Sequence, residues 1–114
     1  MRAIAAINLA AKFILELGAI AAFAYWGANT GDGAVRVLLA IIAPTAAVAL
    51  WGTFAAPKAT RRLPTSARIP FELTVFALAV AALYVAASTG VAIAFAVLVA
   101  LNGMLLTALR QWEQ

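Results

Sequence analysis

Four apolar stretches, roughly residues 4–27, 34–56, 70–87 and 90–109, fill nearly all of this sequence. Each approaches or exceeds the ~20 residues a helix needs to cross ~30 Å of hydrocarbon. Lipid offers no water to backbone N–H and C=O groups, so a spanning segment must be a helix or part of a closed barrel. A chain this short cannot close one. The alternation in Val91-Ala92-Ile93-Ala94-Phe95-Ala96-Val97 is therefore read as helix and not as strand. The expected fold is all-α: one integral membrane domain over residues 1–114, a four-transmembrane-helix bundle, antiparallel in up-down-up-down order. Charged residues make up only 11% of the chain, where soluble domains carry about a quarter. No separate soluble domain is expected.

The basic residues give the chain a direction. Lys58, Arg61, Arg62 and Arg68 lie in one connection, and Arg2 and Arg110 lie near the two ends. With four spans, that connection and both ends share one side; Arg36, opposed by Asp32, stands on the other. By the positive-inside rule, the basic loop and both termini are cytoplasmic. The expected location is the bacterial cytoplasmic (inner) membrane, crossed several times. The net charge of +4 is then a topology signal with some attraction to anionic lipid, not a nucleic-acid patch. The first stretch holds Lys12 and Glu16 and ends in Tyr25-Trp26-Gly27. That ending reads as an interface anchor and not as a signal-peptide cleavage site. Tyr25 and Trp26 mark the outer interface and Trp112 the inner one.

Local signals divide the stretches. Gly27-Ala28-Asn29-Thr30-Gly31-Asp32-Gly33 is rich in turn formers. Pro44 falls in the middle of the second stretch, where it removes one helical bond and is expected to kink the helix. Three prolines between residues 57 and 70 argue against helix there, and Pro70 suits a first-turn position of the third helix. Gly18 with Ala22, and Ala92 with Ala96 and Ala100, form small-residue rows that let helices approach closely in lipid.

The chain has no cysteine and no histidine. Disulfides, thiol catalysis, imidazole or thiolate metal sites and a histidine pH switch are thereby excluded. No phosphate loop or nucleotide fingerprint is present. Neither a cofactor nor enzymatic activity is expected. What remains is a set of polar residues inside apolar stretches. Counting 1.5 Å per residue from the outer loops places Glu16, Pro44 with Thr45, and Asn102 within about 5 Å of the midplane. Lys12 and Glu72 fall roughly 6–9 Å nearer the cytoplasm on the same scale. Lys12, Glu16, Thr45, Glu72 and Asn102 are thus the candidate polar site, and Asn8 shares a helix face with Lys12 and Glu16. Lys12 has two candidate partners, Glu16 on its own helix and Glu72 across the bundle. One reading makes the set a buried knot that fixes which faces meet. The other makes it a site on a substrate or proton path, since membrane carboxylates are functional candidates. Trp51 reads as core packing, with a cation–π wall as the rival reading.

These residues resemble the YrdB-like family of small bacterial membrane proteins of unassigned activity. The resemblance is carried by Lys12-Phe13-Ile14-Leu15-Glu16-Leu17, Tyr25-Trp26-Gly27, Ala43-Pro44 and Glu72-Leu73-Thr74-Val75-Phe76, with Asn102 in the last stretch. Its most specific part is Trp51-Gly52-Thr53-Phe54-Ala55-Ala56-Pro57-Lys58-Ala59. It implies the four-span architecture and no mechanism. The sequence therefore points to an accessory or assembly component, with a small proton- or cation-coupled transporter using Glu16 and Glu72 as the alternative. The partners expected are the bilayer itself and either a second copy or another membrane protein, with no nucleic acid.

Overall fold

The computed structural model describes residues 2–55, 59 and 61–112. It is all-helical: α1 (Arg2–Ala28), α2 (Ala34–Phe54), α3 (Thr65–Ala86) and α4 (Thr89–Ala108). Each helix is long and apolar enough to cross a membrane. Ile7, Ile14, Leu78, Val85 and Met104 are among the large apolar side chains left exposed. Helices apolar on every side are those of a large core or of a membrane span, and a molecule 21 Å across its thinnest dimension has no large core.

The connections explain where each helix stops. After α1, the Asn29 side chain donates to the Tyr25 carbonyl (2.8 Å) and the Thr30 hydroxyl to the Trp26 carbonyl (2.7 Å). These bonds serve carbonyls that the last helical turn leaves without donors. Gly31 and Gly33 take positive φ (73° and 55°), which costs glycine nothing, and the chain turns into α2. At α4 the Ser88 hydroxyl accepts from the Val91 N–H at 3.1 Å, a side-chain N-cap.

α1 is the hub and packs against each of the other three helices, while α3 and α4 also pack on each other. Its buried residues Asn8, Lys12, Leu15, Ala19 and Ala22 recur every three or four positions, the stripe of a 3.6-residue period. α3 shows the same spacing in Arg68, Glu72, Phe76, Ala79 and Ala82. The two stripes share a plan: charged at the beginning, small and apolar beyond. Leu15, Ala19, Ala22, Phe76 and Ala79 form the apolar core, with Phe95 and Val99 of α4 packed on it. Of the expected small-residue rows, Gly18 lies against the Phe95 ring and Ala22 is buried. In the other row Ala92 is buried, Ala96 half-buried and Ala100 exposed.

α2 is attached differently. None of its residues is fully buried, and it packs chiefly on α1. The closest approach is at Gly27, where a Cβ would run into the Leu39 backbone. The four helices expected from the sequence are present, with α1, α3 and α4 enclosing the core and α2 packed on the outside of α1. α2 runs unbroken through Pro44.

α3 starts at Thr65, ahead of the expected start at Pro70. The Pro64 carbonyl accepts from the N–H groups of Ala67 (2.9 Å) and Arg68 (2.8 Å) and opens the helix there. Pro70 then stands inside it, and the bond its missing N–H would make to the Ser66 carbonyl is lost. Ser66 is exposed, so solvent or headgroups can serve that oxygen. The expected end of α2 at residue 56, with Pro57 and Lys58, lies outside the described residues.

Candidate functional site

The charged beginnings of the α1 and α3 stripes meet in the interior. Lys12 Nζ lies 2.8 Å from Glu72 Oε1, and Arg68 Nε lies 3.4 Å from Glu72 Oε2. Arg68 and Glu72 are only 2% and 3% exposed, so these charges have little water to fall back on. Burial of this kind is tolerated when each charge is faced by its opposite. The Arg68 guanidinium also donates to the Leu63 carbonyl (3.2 Å) and to the Trp112 carbonyl. The extra helical turns from Thr65 make this possible, because they put Arg68 one turn before Glu72 on the same face.

Beside the ion pairs runs a chain of amides. Asn102 donates to the Asn8 side-chain oxygen (2.8 Å) and to its backbone carbonyl (3.0 Å). Asn8 in turn donates to Gln111 Oε1 at 2.9 Å, and Gln111 donates to the Ala5 carbonyl at 2.8 Å. Three buried polar side chains thus satisfy one another and tie the end of α4 to the start of α1. The segment after α4 turns inward through Arg110, the one non-glycine residue with positive φ (57°) among the described residues. That turn brings the Trp112 ring under Lys12, with Nζ 5.6 Å from the ring centroid, and its indole N–H bonds to Thr107 at 3.0 Å.

Glu16 lies beside this cluster and shares a cleft with Glu72. It is half-buried, and its Oε2 accepts from the indole N–H of Trp51 on α2. Trp51 packs on Phe13, with ring centroids 6.5 Å apart. The carboxylate lines a cleft between α1, α2 and α3, with Ala47 and Trp51 on one side and Phe71, Val75 and Phe76 on the other. Its cavity volume is about 20 Å³, room for about one water. A smaller cavity of about 10 Å³ adjoins Lys12, Glu72, Asn102 and Trp112.

The structure brings together four of the five candidate residues. Lys12 chooses Glu72 and not Glu16, which resolves the two pairings left open by the sequence. Asn102 joins through Asn8, and Glu16 lines the adjoining cleft. Thr45 does not belong: it is exposed and donates to the Ile41 carbonyl of its own helix at 2.6 Å, in the turn where Pro44 has interrupted the ladder. Arg68 is not a residue of the basic loop but a buried member of the cluster. Trp112, expected as an anchor at the inner interface, has its ring against Lys12 and its carbonyl bonded to Arg68, closing one side of the cluster. Arg61 is exposed and Arg62 donates to the Ala55 carbonyl at 3.4 Å; Lys58 lies outside the described residues. Tyr25 is exposed and Trp26 half-exposed at the end of α1. Sequence reasoning missed Gln111 and the role of Trp51. A tryptophan inside an apolar stretch carries an N–H that needs an acceptor, and Glu16 lies at a neighbouring level; that signal was present.

Residues 10–100 match the family described as "Protein of unknown function (DUF2568)", and the chain belongs to it. It is also similar to the uncharacterized protein YrdB of Bacillus subtilis (strain 168), 29% identical over 112 residues, covering 92% of this chain and 91% of that protein. No solved structure matches.

Proposed function

We propose that this member of the DUF2568 family is a multi-pass protein of the bacterial cytoplasmic membrane. Its four helices run antiparallel in up-down-up-down order, with both ends and the connection before α3 in the cytoplasm. Arg2, Lys58, Arg61, Arg62 and Arg110 against Arg36 support that orientation. The meeting of residues from the starts of α1 and α3 with residues from the end of α4 supports the alternation. In function it is an accessory or assembly component and not a carrier. The observation that carries this reading is the pairing within the interior polar set: Lys12 and Arg68 both face Glu72, and Asn8, Asn102 and Gln111 bond to each other. A carrier needs a group that exchanges its partner, and Glu72 would have to leave two bases to do so. Such a clasp instead fixes how three helices meet.

A transporter reading draws on one observation, the half-buried Glu16 at its cleft; Glu72 contributes little to it. Two experiments on the full chain separate the readings. The accessory reading expects a stoichiometric membrane-protein partner on mild-detergent purification and no proton or cation flux in proteoliposomes under an imposed pH gradient. Flux that Glu16→Gln abolishes overturns it.

A further inference from the structure

The two interior carboxylates differ in what they have left to give. Glu72 is enclosed and faced by two bases. Glu16 is half-buried, uses Oε2 for the Trp51 indole, and has Oε1 available to another donor. Glu72 also lines this cleft, and the rest of the wall is apolar and aromatic, with Trp51 from α2 and Phe71 and Phe76 from α3. We infer that this cleft binds a small organic cation, an alkylammonium whose charged nitrogen meets Glu16 and whose apolar part lies along Trp51, Phe71 and Phe76. The site stands on its own geometry, whatever the fate of the accessory reading.

The chemistry selects this class over a metal ion. A hard cation such as Ca²⁺ or Mg²⁺ needs about six oxygens, and the cleft offers two carboxylates, of which Glu72 is already faced by Lys12 and Arg68. Among the described residues no group of three or more acidic residues is placed to hold a metal. An alkylammonium needs fewer polar partners, because its substituents prefer apolar surface and its charge is attracted to aromatic faces. The charges within electrostatic reach of Glu16 are Lys12, Glu72 and Arg62. Lys12 is engaged by Glu72 at 2.8 Å, and Arg62 is held at the Ala55 carbonyl. The closed cavity admits about one water-sized group, so a ligand tail has to part α2 from α3. Those two helices touch mainly through the edge-on ring pair of Phe54 and Phe71, with centroids 6.0 Å apart, and α2 is otherwise held on α1.

The test titrates the purified full chain in detergent with hexylammonium chloride, followed by calorimetry. Hexanol serves as the neutral isostere and potassium chloride as the inorganic cation. The expected result is a saturable isotherm for hexylammonium that neither control gives. Glu16→Gln, which keeps an oxygen for the Trp51 indole, should weaken binding at least tenfold without lowering the thermal midpoint. Phe71→Leu should weaken it about threefold through loss of one ring face. An isotherm unchanged in Glu16→Gln, equal binding of potassium, or only non-saturable partitioning each overturns the inference.

Discussion

Replacing Lys12 by methionine, and Glu72 by glutamine, should show that Lys12 belongs to Glu72 and to no other acid. Removing one member of a buried ion pair costs about 3–5 kcal/mol, because the other is left uncompensated. In Lys12→Met, Arg68 still faces Glu72 at 3.4 Å, so the loss should lie near the lower end, about 3 kcal/mol. In Glu72→Gln both bases lose their acid, and the loss should reach about 5 kcal/mol. The double variant removes one base together with the acid, so its loss should fall short of the sum by more than about 1.5 kcal/mol, well outside the scatter of independent sites. The matching cycle of Lys12→Met with Glu16→Gln tests the alternative pairing at the same four-residue spacing. It should show a smaller coupling than the Glu72 cycle, because Lys12 is in direct contact with Glu72 and acts on Glu16 only through space. Reversible unfolding in mixed micelles measures all five variants against the parent. Additivity in the Glu72 cycle, or coupling in the Glu16 cycle as large as in the Glu72 one, refutes the reasoning.

Three further outcomes rest on separate contacts. Gly27→Ala drives a Cβ into the Leu39 backbone and should cost about 1–3 kcal/mol, whereas Gly52→Ala meets nothing within 4 Å and should be neutral or gain up to about 1 kcal/mol; thermal unfolding compares the two. Gln111→Leu leaves Asn8 without its acceptor and should cost about 1–3 kcal/mol, seen as a lower thermal midpoint; no change means the amide chain does not hold α4 to α1. Arg110→Gly relieves a left-handed backbone and should stabilise by about 1 kcal/mol, and a loss of stability by the same assay counts against that strain.

The relative heights of Lys12, Glu72 and Glu16 were legible in the sequence. That of Asn102 was not, since the count put it level with Glu16 and it bonds to Asn8, two turns earlier on α1. The directions of the side chains were not legible either. Counting along apolar stretches placed Lys12 and Glu72 at one level and Glu16 above them, and the pairing follows those levels. Thr45 was drawn into the site by the same count, because height says nothing about which way a side chain faces around its helix. α2 turns Thr45 outward, and no periodic stripe in that uniformly apolar helix announces it. Arg68 was read as a loop residue because Pro70 marks a helix start by local preference. The helix forms earlier because Pro64 opens it and because the earlier turns bring Arg68 onto Glu72, a tertiary gain that local preference does not contain. Gln111 escaped because it lies beyond the last apolar stretch and reaches inward only through the turn at Arg110.

The central claim is a four-span chain with its ends and basic loop on the cytoplasmic side, and the lack of cysteine makes it directly testable. Single cysteines at Asp32, Arg61 and Arg110 report three loops or ends with no background from the chain itself. A membrane-impermeant maleimide added to intact spheroplasts should label Asp32→Cys alone. Arg61→Cys and Arg110→Cys should react only after the membrane is permeabilised. Labelling of Arg61→Cys or Arg110→Cys in intact spheroplasts, or protection of Asp32→Cys there, contradicts the account.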